Sequence, residues 1–186
     1  MTFTINGADL AGTALAEVTA VSEGQDVTFD NAAPVLSAVT IASDNSVTTL
    51  AKTGDTLTLA FTADAEINSP TCAFTVGGVT AAGAAVVVAD TSTGAGTGWS
   101  CAYEFDAGDS EGVVEFTIDA TDLAGNAMAQ VMTVGDGTSV TFDNVAPTLT
   151  TVSIASDSAA DATLAKTGDT VTVLMEASEA LAAAPT

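Results

Sequence analysis

Residues 27–44 have the sequence VTFDNAAPVLSAVTIASD, and residues 140–157 repeat it as VTFDNVAPTLTTVSIASD. The stretch FTINGADLAG at residues 3–12 likewise returns as FTIDATDLAG at residues 116–125. Both pairs are separated by 113 residues without a gap, so one period is one structural unit. A unit of this length is a whole small domain, because the repeats of solenoids have only about 20–50 residues. The sequence therefore predicts a string of domains.

The motif LAKTGDT occurs at residues 50–56 and again at residues 164–170, an offset of 114 residues instead of 113. The one extra residue predicts a surface loop before the second motif, because loops tolerate small insertions. If each unit begins at the DNxAP motif, residues 1–32 are the closing portion of one unit and residues 33–145 are a complete unit. Residues 146–186 are then the opening portion of the next unit. Two explanations of the incomplete portions stay open. The chain is a segment of a much longer protein, or it is a subunit whose ends complete those of identical neighbours.

Composition limits the partners of such a domain. The chain has 24 acidic residues against two lysines, with no histidine, and a formal net charge of −22. Nucleic acid and anionic membrane surfaces would repel it. The repulsion within the domain is relieved by bound cations, and a divalent metal is the natural candidate. The hydrophobic fraction of 47% argues against disorder, and no apolar run approaches the roughly 20 residues of a membrane helix, so we expect no membrane insertion.

Hydrophobic residues alternate with polar ones along most of the chain. Leu57, Leu59 and Phe61 are one example of this period of two, which is typical of strands with one buried face. Clusters of Gly, Asp, Asn and Ser separate the runs, so the pattern predicts an all-β fold, an antiparallel β-sandwich. The predicted strands of the complete unit are 36–42, 56–63, 71–76, 79–89, 98–105, 113–121 and 128–142. Seven strands are the number in an immunoglobulin-like domain, so the sequence predicts tandem immunoglobulin-like repeats.

The ordered motifs also carry a family resemblance. DNxAP, TLAKTGDT, an ASEAL stretch, EGVVEFTIDATDLAGN and a closing VTFDN resemble the bacterial immunoglobulin-like repeats that occur in tandem in very large surface and secreted adhesins. The resemblance covers essentially the whole chain. It implies an extracellular, rod-like array on the bacterial cell surface, with neighbouring repeats as partners and calcium commonly bound at the junctions. It does not name the ligand to which such a protein adheres.

The two cysteines lie on the apolar faces of their strands. Cys72 alternates in phase with Phe74, and Cys101 in phase with Trp99 and Tyr103, so both side chains should enter one core. A disulfide between them would close a loop of 29 residues and stabilise the domain by roughly 3.5 kcal/mol. Such a bridge suits an oxidising, extracellular setting. The alternative is a pair of buried free thiols that act as small hydrophobic side chains.

Acidic loops supply the candidate metal ligands. In an immunoglobulin-like topology, the chain enters at one pole, where the loops after the second and sixth strands also lie. Calcium takes six to eight oxygen ligands, and cadherins resemble this chain in placing a DNAP-like linker at each calcium-filled junction. The predicted ligands at the two junctions are Asp30, Asn31, Asp64, Glu66, Asp122, Asn126, Asp143, Asn144 and Glu179. The alternative is structural, because Asp and Asn before Ala-Pro favour turns and DLAGN can form a hydrogen-bonded hairpin loop.

A second acidic set is predicted at the opposite pole, and for it we favour a solvated loop over a metal site. Its members are Asp44, Asp55, Asp106, Asp109 and Glu111. No EF-hand loop occurs in the sequence.

Catalysis finds little support in the sequence. Without histidine, neither a Ser-His-Asp triad nor a Cys-His pair can form. We therefore expect a non-enzymatic structural extender, a stalk repeat of a large extracellular adhesin, rigidified by calcium at the domain junctions. The alternative is a self-assembling extracellular filament subunit whose terminal half-domains complement identical subunits.

Overall fold

The computed structural model describes residues 2–21, 24, 27–90 and 96–183. Regular structure in this part of the chain consists of β-strands, with no helix, which confirms the all-β class. Accordingly, no helix long and apolar enough to cross a membrane occurs among the described residues. The strands are β1 (Leu36–Ser43), β2 (Leu50–Ala51), β3 (Thr56–Ala63), β4 (Thr71–Val76), β5 (Val79–Thr80), β6 (Val86–Asp90), β7 (Gly98–Glu104), β8 (Gly112–Asp119), β9 (Thr141–Phe142), β10 (Leu149–Ser156) and β11 (Val171–Ala177).

The strands from β1 to β9 form two sheets. A four-stranded sheet has the order β1-β3-β7-β6, and a five-stranded sheet has the order β2-β9-β8-β4-β5. Neighbouring strands are antiparallel except β2 and β9, which run parallel. Side chains of both sheets, including Leu59 on β3 and Ile118 on β8, belong to one hydrophobic core. This arrangement is that of a β-sandwich.

Alternation along the strands decides which side chains enter this core. On β3, Leu57, Leu59 and Phe61 are at most 3% exposed, whereas Thr58 between them faces solvent. The central residues of β8 behave in the same way, with Phe116 and its neighbours two positions away buried. A period of two is what a strand with one buried face requires. The prediction of the core from this alternation is confirmed.

Aromatic rings fill one end of the core. Phe105 packs edge-on against Tyr103 with ring centroids 5.4 Å apart, and stacks on Phe142 at 5.0 Å. Tyr103 in turn contacts Phe74 at 5.8 Å. Offset and edge-on pairs of this kind stabilise a core by about 0.5–1.5 kcal/mol beyond the area that they bury. The four rings therefore tie β4, β7 and β9 together.

The predicted disulfide is confirmed. Cys72 on β4 and Cys101 on β7 are bonded, with their Cα atoms 6.4 Å apart. Because β4 belongs to the five-stranded sheet and β7 to the four-stranded one, the bond joins the two sheets through the core. Disulfides persist in oxidising compartments and are rare in the cytosol.

The predicted strand at 79–89 is wrong as a single element. β5 continues the five-stranded sheet beside β4, but β6 pairs with β7 in the other sheet. The chain therefore crosses between the sheets within residues 81–85. Gly83 lies in this crossing, where a Cβ would stand 3.2 Å from the ring of Tyr103. The small residues at 81–85, which resemble a strand interior in the sequence, allow the backbone to pass close to the ring of Tyr103.

The predicted strand at 128–142 is also wrong over most of its length. Only Thr141 and Phe142 form a strand, and Val131 makes an isolated bridge to Ile118. The intervening GDG sequence forms a turn in which Asp136 accepts a hydrogen bond from the Thr138 amide at 2.9 Å. Residues 132–139 thus lie away from β8, which leaves a groove of about 570 Å³ beside Phe116.

The chain divides into two compact units, Met1–Phe142 and Asp143–Thr186. The boundary lies three residues before the predicted limit of the complete domain at residue 145. Within the second unit, β10 and β11 form an antiparallel hairpin from Leu149↔Ala177 to Ser156↔Val171. The extra residue of this repeat lies between these two strands, outside regular structure, as predicted.

Duplicated stretches make the same hydrogen bonds. Ile5 forms an isolated β-bridge with Val18. Ile118 and Val131, which lie 113 residues further along the chain, form the equivalent bridge. In the second unit, Lys166 donates to Asp169 as Lys52 donates to Asp55 in the first. The copies differ in burial instead. Apolar side chains of the middle copy are in the core, and most of their counterparts in residues 2–21, 27–32 and 146–183 are exposed.

The turn between β4 and β5 offers a matched pair of glycine substitutions. Gly77 and Gly78 both have positive φ, at 58° and 78°. A Cβ on Gly77 would collide with the backbone carbonyl of Glu111, whereas a Cβ on Gly78 meets nothing within 4 Å. We expect Gly78→Ala to cost about 1–2 kcal/mol of unfolding free energy from strain alone. Gly77→Ala should cost clearly more. Urea unfolding followed by Trp99 fluorescence measures both, and equal losses would contradict the predicted collision.

Candidate functional site

Three segments meet at one end of the first unit, namely the linker 30–35, the loop 64–70 after β3 and the loop 122–126 after β8. Val35 donates its amide to Asp64 Oδ1 at 2.8 Å, which ties the linker to the first loop. The Asn68 side chain donates to the carbonyl of Asp122 at 2.7 Å, which ties the two loops together. The Asn126 side chain reaches the carbonyl of Asp30 at 3.3 Å. The predicted ligands from these segments therefore lie at one pole.

Asp122 is the buried carboxylate of this pole, with 4% of its surface exposed. Its Oδ1 accepts a hydrogen bond from the Asn126 amide at 2.8 Å, and its Oδ2 accepts one from the Asn126 side chain, also at 2.8 Å. These bonds, the side-chain one foremost, hold the pKa of Asp122 below its ordinary value. Asp122 is therefore an ionised, oriented oxygen donor at neutral pH.

Several oxygens converge on one nitrogen at this pole. Asn126 Nδ2 lies 2.8 Å from Asp122 Oδ2, 3.3 Å from the carbonyl oxygen of Asp30 and 3.5 Å from that of Ala32. An amide NH₂ has two protons for these three acceptors. Oxygens of this type are calcium ligands, and Asn126 would add its own Oδ1 if its amide were turned over. Chemically, the donor set fits calcium, with water to complete the coordination.

The acidic side chains themselves do not converge. Among residues 2–21, 24, 27–90 and 96–183, no group of three or more His, Cys, Asp or Glu side chains is placed to hold a metal ion. Asp30 uses Oδ1 to accept the Ala32 amide at 3.0 Å, the turn that the DNxAP motif also favours. Glu66 lies against Gly96, and Asn31 is exposed. A bound ion would have to draw these side chains inward.

The ligands predicted for the second junction belong to the second unit. Asp143 Oδ1 accepts the Val145 amide at 3.1 Å, which is the turn that Asp30 forms in the first copy. Asn144 is exposed and Glu179 half-buried. Where Asp64 binds the linker in the first copy, Ser178 accepts the Thr148 amide with its hydroxyl at 3.0 Å. The second copy therefore has one carboxylate fewer at this position.

Sequence reasoning missed Asn68. Its side chain donates to the carbonyl of Asp122 and, at 3.0 Å, to the hydroxyl of Thr121, so it holds the loop that presents Asp122. An asparagine in the loop between two strands is an ordinary turn residue, and only the fold brings it to the second loop.

Several members of the second acidic set cap loops, and Asp44, Asp106 and Glu111 are also exposed to solvent. Asp109 accepts hydrogen bonds from the Tyr103 hydroxyl at 2.6 Å and from the Asp106 amide at 2.9 Å. Burial, together with this bond to Asp109, raises the pKa of Tyr103 to about 12. Asp44 accepts the amide of Thr56 at 2.7 Å. The sequence favoured a solvated loop over a metal site here. In the structure, Asp44 and Asp109 cap loops by accepting backbone amides, and Glu111 is exposed.

Asp55 predicts how the first unit responds to acid. Hydrogen bonds from the Asn45 side chain at 2.7 Å and from Lys52 lower the pKa of Asp55 from its ordinary value of 3.8 to about 2. A carboxyl group whose pKa is lowered by folding stabilises the fold at any pH above its pKa in the unfolded chain. That contribution is lost as the pH falls from about 4 to about 2. We expect Asp55→Asn to flatten the pH dependence of the melting temperature in that window. Asp169→Asn, at the duplicate position in the second unit, is the control. An unchanged slope in Asp55→Asn would contradict the assignment.

Comparison of the chain with protein-family models, curated proteins and solved structures finds no match. The features that bear on function are therefore the repeated sequence, the strand order and the oxygen cluster around Asn126.

Proposed function

We propose that the chain is a stretch of tandem immunoglobulin-like repeats that extends a large extracellular bacterial surface protein, an adhesin stalk, and that calcium at the domain junctions stiffens it. The role requires no catalysis. Neighbouring repeats are its partners, and the adhesion ligand would be bound by another part of such a protein.

The strand order is the observation that carries the immunoglobulin-like assignment. If the short strands β2 and β5 are set aside, one sheet has the first, second, fifth and fourth strands, and the other has the seventh, sixth and third. This is the order of the two sheets in a constant-type immunoglobulin domain. The repetition of sequence and hydrogen bonds after 113 residues supports a tandem array of such domains. The disulfide supports an extracellular location.

Charge and geometry support calcium at the junction. A net charge of −22 repels itself, and a divalent cation relieves that repulsion where carboxylates are close. At the pole of the first unit, the linker and two loops already meet, with an ionised Asp122 and two backbone carbonyls directed at Asn126. An ion held there would fix the linker relative to the loops. Fixed linkers convert a flexible string of domains into a rod.

Calcium titration tests this proposal. We expect calcium to bind the native chain and to raise its melting temperature, because a ligand that binds only the folded state at about 100 times its Kd adds about 2.7 kcal/mol. Chelation with EDTA should reverse the shift. Asp122→Asn should abolish both the heat of binding and the shift. Asp136→Asn, in a turn outside the cluster, should retain them. Absence of binding heat and of a melting shift in the native chain would contradict the calcium junction.

A further inference from the structure

The groove of about 570 Å³ beside β8 lies where the last strand of the sandwich is interrupted. On this side, β8 pairs with Val131 at Ile118 and with Thr141 at Val113. Five residues separate the two positions on β8, whereas ten separate their partners, so residues 132–139 loop outward. The groove therefore lies along the line that a continuous strand would follow.

The backbone of β8 has one open position on this side, at Phe116. The amides of Val114 and Ile118 donate to the carbonyls of Val140 and Val131 at 2.8 and 2.9 Å. Phe116 lies between them, and alternate residues of a strand direct their amides and carbonyls to the same side. Within residues 96–183, no backbone group pairs with Phe116 on this side. Its N–H and C=O are thus available as a donor and an acceptor to an extended chain.

The chain's own outward loop is poorly suited to this position. If the register of Val131 continued, Thr133 would lie opposite Phe116, and in the register of Thr141 the opposite residue would be Thr138. Either threonine would point inward, as Phe116 does, because alternate residues of a strand share a face. Burial of a hydroxyl without a hydrogen-bond partner costs about 1–3 kcal/mol. An apolar side chain from another molecule would fit this position better.

The walls of the groove indicate the chemistry of a ligand. Ile41, Val114 and Phe116, which are all buried core residues, form an apolar inner wall. Glu115 is the ionisable side chain among the lining residues, and the Thr75 hydroxyl donates to its Oε2 at 3.2 Å. Together with the net charge of −22, this carboxylate favours a cationic ligand and disfavours an anionic one.

The interruption also limits the length of a ligand. Residues 115–117 of β8 lie between the positions that bond to Val131 and Val140. A strand rises by about 3.4 Å per residue, so the interruption has room for about three residues. Because Val131 and Val140 occupy the line of the strand at both ends, a longer extended chain could not run through.

We propose that the groove binds a short cationic peptide of about three residues. The middle residue pairs its backbone with Phe116 and places an apolar side chain against Ile41 and Val134. The residues on either side lie opposite Glu115 and Thr117, on the outer face of the sheet, where a basic side chain meets the Glu115 carboxylate. Main-chain hydrogen bonds to an open strand supply affinity, and the side-chain pocket supplies specificity. This site goes beyond the stalk proposal and requires no calcium.

Titration of the native chain with the peptide acetyl-Lys-Leu-Lys-amide, followed by NMR of the backbone amides, tests the proposal. We expect the Phe116 amide resonance to shift and to saturate with a Kd of about 1 mM or below. Acetyl-Glu-Leu-Glu-amide should bind at least about fivefold more weakly, because it brings carboxylates to Glu115. Methylation of the leucine nitrogen should weaken binding by about the same factor, because it removes the donor for the Phe116 carbonyl.

Two variants test the role of Glu115. Glu115→Gln should lower the affinity for the lysine peptide about threefold, as expected for loss of an exposed ion pair. Glu104→Gln, at an exposed position on the other sheet, is the matched control and should bind like the native chain. Equal losses in the two variants would overturn the proposal.

Three results with the peptides would also overturn it. They are a Phe116 resonance that does not move, equal binding of the lysine and glutamate peptides, and equal binding of the methylated and parent peptides. The last result would show that the groove takes apolar groups without backbone pairing. All of these outcomes leave the calcium titration, and with it the stalk proposal, unaffected.

Discussion

Replacing Phe142 by alanine is expected to lower the unfolding free energy of the first unit by about 3–5 kcal/mol. Phe142 is 1% exposed and stacks on Phe105 with ring centroids 5.0 Å apart. Its removal leaves a cavity between β9 and β7 that the remaining three rings cannot fill without losing their own contacts. Urea unfolding followed by Trp99 fluorescence measures the loss.

Phe29→Ala is the matched control for this prediction. Phe29 occupies the same place in the duplicated VTFDN motif but is 77% exposed. We expect a change within about 0.5 kcal/mol, as for other surface substitutions. Equal losses in the two variants would show that the two copies do not differ in burial as described.

Loss of the Cys72–Cys101 bond is expected to cost roughly 3.5 kcal/mol, since it frees a loop of 29 residues in the unfolded state. The reduced domain should still fold, because the core that joins both sheets does not depend on the bond. Denaturant unfolding of the oxidised and reduced protein, and of the Cys72→Ala, Cys101→Ala double variant, measures the difference.

The covalent state itself is checked by intact mass and thiol titration. The unreduced chain should be lighter than the reduced one by two hydrogens and should show no thiol when unfolded. Two thiols that titrate in the unfolded, unreduced protein would contradict the bridge.

The sequence predicts the core well because burial on a strand follows a period of two. Leu57, Leu59 and Cys101 could be assigned to the core from their alternation with polar residues alone. The meeting of the linker with the two loops could be predicted from the expected topology, since the motifs at Asp64 and Asp122 follow strands that end at the same pole.

Other features depend on contacts that alternation does not encode. The break between β5 and β6 is set by Gly83 under the ring of Tyr103, and the break before β9 by a turn at Asp136. The capping roles of Asp55 and Asp109 are decided by partners that the fold brings together, such as Asn45 and Tyr103. Acidic residues in loops look alike in a sequence, whether they cap a backbone, bind a metal or face solvent.

Small-angle scattering of the native chain, extrapolated to zero concentration, tests the calcium-stiffened stalk most directly. Curves are compared in calcium, in EDTA and in magnesium at equal ionic strength, so that screening of the −22 charge is held constant. A calcium-stiffened stalk should have a larger maximum dimension in calcium than in EDTA, and Asp122→Asn should show no such change. Scattering curves of the native chain that superimpose with and without calcium would contradict it.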